Sequence, residues 1–192
     1  MISDLALLAL SLAFSWVSRP SQSTEWSGER AADFASGLII TLAAGGSLFG
    51  TMTGNLAAMT LLSGLAWYAA MPLIVLFRVA QAASTLGMPS TWSREIWGRI
   101  LLVQCVIFEL ARRSELAFMI PQVTLIAGLI ALCIWAVLPL APVRQLLTRL
   151  TVPTLWGVIT LTYLIYFPDD LYVLGAPLAI LLLQTRIRSS TP

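Results

Sequence analysis

Histidine and lysine are absent from this sequence, charged residues make up only 10%, and cysteine occurs twice in 192 residues. Each shortage removes a class of chemistry. Without histidine there is no haem axial imidazole, no His-based zinc site, no Ser-His-Asp triad and no His proton relay. Without lysine there is no Schiff base, so a retinal-type cofactor has no point of attachment. Cys105 and Cys133 each stand alone inside apolar runs and read as small buried hydrophobes, because disulfide exchange or metal binding wants a closely spaced pair. No HExxH, no GxSxG elbow and no Gly-rich phosphate loop after a strand is present. No cofactor and no metal are expected, and an enzyme is the weakest function class.

What fills the chain instead is apolar: 58% of residues are hydrophobic. A soluble domain carries about a quarter charged residues. The decisive stretch runs from Phe34 to Phe77 with no charged side chain. A helix rises about 1.5 Å per residue, so this run is roughly twice what one crossing of a ~30 Å hydrocarbon core needs. It must be two membrane helices joined by a turn. The partner implied is the lipid bilayer, and the net charge of +2 is too small to argue for nucleic acid.

Read in order, the chain predicts an all-α, polytopic integral membrane bundle forming one transmembrane domain over residues 1–192. Spans are expected at about 4–18, 34–49, 56–78, 95–113, 116–141, 150–167 and 171–185. The first carries Asp4 where a cleaved signal would carry a positive charge, so it reads as a retained helix ended by Arg19-Pro20. Asp33 sits where the second helix begins, and negative charge is favoured there. Trp26 reads as an interfacial anchor, and Tyr163, Tyr166 and Tyr172 as an aromatic belt. The turn of the uncharged pair falls in Gly50 to Asn55, since Gly and Asn tolerate positive φ. Gly46, Gly50 and Gly54 also share one helical face, a stripe suited to close helix packing. Pro121 predicts a kink, Pro168-Asp169-Asp170 a tight turn, and residues 186–192 a polar tail.

Ser47-Leu48-Phe49-Gly50-Thr51-Met52 is similar to the RLFGNM-type stretch in the a subunit of rotary ATP synthases. The similarity covers six residues. The arginine that carries that family's proton-path chemistry is Ser47 here, and its asparagine is Thr51, so no shared function is implied. Pro121-Gln122 resembles the pair of PQ-loop transporters, over a dipeptide alone.

The segment 95–113 is the weakest span, because Arg99 and Glu109 flank a short uncharged centre, and a flat interfacial helix is the rival reading. The arginines arbitrate. With seven spans, arginines 19, 30, 78, 94, 99, 144, 149, 186 and 188 share one side, leaving only Arg112 and Arg113 opposite. With six spans the asymmetry is blunter. Positive charge favours the cytoplasm, so the expectation is seven spans, N-terminus outside and C-terminus cytoplasmic, in a bacterial-type inner membrane.

Charged groups at membrane depth default to functional hypotheses. Glu109 reads either as an ion pair with Arg112 or Arg113 one turn on, or as a proton- or cation-binding carboxylate. Arg78 reads as a snorkelling end residue or as an anion clamp. Thr51, Asn55, Gln104 and Gln122 are candidates for a polar path, although such residues equally serve interhelical hydrogen bonds. Three functions follow. A small transporter or channel leads, its route between the Gly-rich hairpin and the segments 95–113 and 116–141. A non-catalytic accessory subunit of a larger membrane complex comes second. A lipid-modifying enzyme using Glu109 or Asp169-Asp170 is third. A homo-oligomer or a larger complex are the protein partners each would imply.

Overall fold

The uncharged run folds as a helical hairpin, and everything else is arranged around it. In the computed structural model, residues 2–19, 28–86, 94–114, 119–138, 143–166 and 171–189 are described, and they are helical with no strand among them. The helices are α1 (Ile2–Ser18), α2 (Gly28–Thr53), α3 (Leu56–Leu65), α4 (Met71–Thr85), α5 (Arg94–Arg113), α6 (Met119–Val137), α7 (Val143–Tyr166) and α8 (Gly175–Ser189). A π-helical segment, Ala66–Ala70, joins α3 to α4 without a break, and a 3-10 turn, Leu171–Leu174, leads into α8. With α3, the π segment and α4 taken as one rod, seven helices are present among the described residues.

The hairpin turn is tighter than Gly50 to Asn55. Helix α2 continues through Gly50 to Thr53, and only Gly54 and Asn55 leave it. Gly54 takes φ +72°, a conformation that costs an L-residue roughly 1–2 kcal/mol. Gly46 and Gly50 do pack closely, but against side chains: a Cβ on Gly46 would overlap Leu62, and one on Gly50 would overlap Met59. Helix against helix is closer between α1 and α2. There a Cβ on Gly37 would overlap Ser15 Oγ and lie 3.3 Å from Ser15 Cα, so small residues let two backbones meet.

Several boundaries differ from those expected. Helix α2 starts at Gly28 rather than Phe34, α4 continues past Arg78 to Thr85, and α7 starts at Val143 rather than Leu150, taking in Arg144 and Arg149. Charge ends a hydrophobic run but does not end a helix, since arginine and glutamate are good helix formers. Pro121 is the third residue of α6, where no intrahelical N–H bond is lost, so the expected kink has no cause. Trp26, the 87–93 segment, the Pro168-Asp169-Asp170 turn and residues 190–192 lie outside the described residues.

Contacts run α1 to α2, α2 to α4, α4 to α6, α6 to α7, α7 to α8, and α8 back to α1, a closed circuit of helices. Inside it lies the main core, with Phe14, Ile40, Met71, Ile74, Leu132, Trp156 and Leu181 all nearly inaccessible. Among the described residues none of α5 belongs to that core, and the helix lies outside the circuit, against α2 and the α3–α4 rod. It builds a satellite core in which Trp97 meets Ala32, Leu73, Phe77 and Ala80.

Three helical stretches are long and apolar enough to cross a membrane: Ala31–Thr53, Met59–Ala83 and Met119–Val137. Of their most apolar windows only 39%, 50% and 44% is buried inside the molecule, so half or more of three strongly apolar helices faces outward. An outward apolar surface of that extent suits lipid, not water. Hydroxyls along the first of these stretches donate to carbonyls of their own helix: Ser36 Oγ to Ala32 O, Thr41 Oγ1 to Gly37 O and Thr51 Oγ1 to Ser47 O, each at 2.8 Å.

Candidate functional site

Asp33 and Arg78 bracket the uncharged run, and the hairpin brings them together. They lie at nearly equal distances from the Gly54 turn, so antiparallel packing sets one opposite the other. Arg78 Nη2 donates to Asp33 Oδ2 at 2.8 Å, with the two side chains only 4% and 8% exposed. Arg78 therefore does not snorkel. Its guanidinium carbon also stands 4.5 Å from the centre of the Phe77 ring, and Trp97 meets that ring edge-on at 6.3 Å. Arg78 Nε is buried with no hydrogen-bond partner among the described residues. A charge pair shut between two apolar helices is costly to assemble, because each ion loses several kcal/mol of hydration.

The second irregular feature is the π segment, near the middle of the stretch Met59–Ala83. Its cause is local. Pro72 has no N–H to offer Tyr68 O, and its ring would crowd that carbonyl in a regular α-helix. Widening the preceding turn relieves the crowding, and Met71 N–H bonds back to Ala66 O instead. The widened turn turns Trp67 inward, 6% exposed, with its ring 5.2 Å from Tyr163 of α7. Trp67 Nε1 is buried with no hydrogen-bond partner among the described residues. Tyr68, next in sequence, stacks on Phe108 of α5 at 5.8 Å. An indole N–H wants a partner when buried, so this one is an unfilled polar position inside the helix circuit.

The residues singled out from the sequence are dispersed. Thr51 is exposed and its hydroxyl donates to Ser47 O at 2.8 Å; Asn55 is exposed at the hairpin turn. Glu109, half exposed at the end of α5, accepts from Arg113 Nη2 at 2.7 Å. Gln122 is half-buried near the start of α6, and Gln104 is buried on α5 against a groove beside Leu76. That groove takes in Gln104 alone of the six. Helices α5 and α6 each pack against the α2–α4 hairpin, α6 against its α4 arm and α5 against both arms. Among the described residues no cluster of three or more Cys, Asp and Glu is placed to hold a metal ion.

Comparison with known proteins gave no matching family model, no matching curated protein and no matching solved structure. The geometry must carry the reading. Asp33 is the residue that sequence reasoning missed. Opposite charges at the two ends of one uncharged hairpin were the available signal, since both ends of a hairpin arrive at one place. For Trp67 the signal was Pro72, which has to disturb any helix that contains it.

Proposed function

We propose that this chain is a small transporter or channel that crosses a bacterial-type inner membrane seven times, with its N-terminus outside and its C-terminus in the cytoplasm. The buried Asp33–Arg78 pair carries the reading. Ionisable residues retained between apolar helices pair with one another and mark solute or ion pathways. Here the pair ties the two arms of the hairpin at the end that the arginine distribution assigns to the cytoplasm. In the packed circuit it acts as the closed position of a gate. The π segment, with its inward Trp67, is the place inside the circuit where a polar solute finds a free donor.

The test is reconstitution into phosphatidylcholine vesicles loaded with a pH-sensitive dye, with proton, potassium and chloride gradients applied in turn. Wild-type vesicles are expected to dissipate at least one gradient faster than protein-free vesicles, and Arg78→Gln to do so faster still. Wild type and variant both matching protein-free vesicles for all three gradients would remove the ion-path reading.

A second reading, an accessory subunit of a larger membrane complex, is favoured by α5. It lies outside the circuit and shows Leu102 at 66%, Val106 at 59% and Leu110 at 62% exposed along one side. The intact mass of the particle in a mild detergent separates the two. A stoichiometric foreign chain favours the subunit, and this chain alone favours transport.

A further inference from the structure

The groove between α4 and α5 encloses about 400 Å³ and opens outward. Leu76 of α4 and Ile100, Val103 and Ile107 of α5 form aliphatic walls, and Arg99 and Gln104 are its two polar members. Gln104 is only 6% exposed, yet its side chain forms no hydrogen bond to a described residue. Its amide is a polar group on an otherwise aliphatic wall, placed to meet whatever polar group lies in the groove. Arg99 is exposed at the rim and forms no ion pair among the described residues, not even with Glu95 one turn away. Arg99 lies more than one turn from Gln104 toward the N-terminal end of α5, the end that the arginine distribution makes cytoplasmic.

We infer that this groove binds one anionic glycerophospholipid from the surrounding bilayer. The phosphate pairs with Arg99, an ester carbonyl accepts from the Gln104 amide, and an acyl chain follows Val103 and Ile107. The spacing fits. Five residues of helix set the Arg99 and Gln104 backbones roughly 7.5 Å apart along the axis, on the scale of the few bonds between phosphate and ester carbonyl in a glycerophospholipid. From Arg99 to Ile107 the groove runs about 12 Å, most of one ~15 Å leaflet. A headgroup with no ammonium of its own is preferred, because Arg99 then has no internal rival for the phosphate. The site requires only that the chain sits in a bilayer, not that it transports anything.

The protein is reconstituted into nanodiscs of equal phosphatidylglycerol and phosphatidylcholine, released in a mild detergent and weighed intact. Wild type is expected to retain one phosphatidylglycerol per chain in preference to phosphatidylcholine. Arg99→Gln should lose most of that retention, and Gln104→Leu should weaken it several-fold without lowering the thermal midpoint of the lipid-free protein. A structural glutamine would instead lower the midpoint when replaced. Leu161→Ala, on the exposed side of α7, should retain the lipid. Equal retention of both lipids by wild type, or undiminished phosphatidylglycerol on Arg99→Gln, overturns the inference. Vesicle flux does not enter this readout, so the two readings fail separately.

Discussion

Breaking the Asp33–Arg78 pair from one side should cost far more than removing it altogether. At 2.8 Å, two unit charges attract by roughly 6 kcal/mol at an effective dielectric of about 20. Burial of both side chains below a tenth of their exposed area takes back most of that in lost hydration. The net worth of the intact pair is therefore small, and the penalty for stranding one member is large. Asp33→Leu leaves a buried guanidinium beside Phe77, and Arg78→Met leaves a buried carboxylate; each should lose about 3–5 kcal/mol. For a chain of this size that is roughly 6–20 °C in thermal midpoint. The double variant Asp33→Leu/Arg78→Met should recover to within about 1 kcal/mol of wild type, because two aliphatic side chains then fill the same gap. Unfolding in detergent, followed by the fluorescence of the seven tryptophans, measures all four proteins. Additive losses in the double variant would refute the reasoning, since additivity means that the charges do not interact. If the pair is also a gate, the double variant restores stability while leaving vesicles leaky.

Three further outcomes follow from particular contacts. A Cβ on Gly128 would lie 2.7 Å from Trp156 Cζ2 and 3.0 Å from its Nε1, whose N–H donates to Leu125 O at 2.9 Å. Gly128→Ala should thus cost about 1–3 kcal/mol by overpacking, read as a lower thermal midpoint with a changed near-ultraviolet tryptophan signal. Gly54→Ala should cost about 1–2 kcal/mol through its φ of +72° alone, because a Cβ there meets nothing within 4 Å. Cys105, midway along α5, should resist a charged thiol reagent in intact membranes and react once the protein is unfolded. Ready labelling in intact membranes would place α5 on the surface and reduce the spans to six.

The hairpin shows how far composition reaches. An uncharged stretch twice the length of a crossing has to double back, and its two ends have to meet, whatever packs around it. What the stretch does not contain is its own boundaries: α2 and α4 both run past the charges that bracket it, because helix formation follows backbone bonding rather than hydropathy. Glu109 is the opposite lesson. It stands out in the sequence as the carboxylate deepest in an apolar run, and in the fold it is half exposed and paired with Arg113. Gln104, no more conspicuous than Gln122, is the one that the fold buries beside a groove.

The sequence by itself therefore determined an all-helical chain with apolar stretches of membrane length, for these depend only on local composition and on the need of every backbone group for an internal partner in lipid. Helix order around the circuit, the place of α5 outside it, the meeting of Asp33 with Arg78 and the isolation of Gln104 were decided by tertiary structure. Those depend on which faces fit together. Between apolar helices the choice rests on shape, on small residues such as Gly37 and Gly128 against Ser15 and Trp156, and no hydropathy pattern records it.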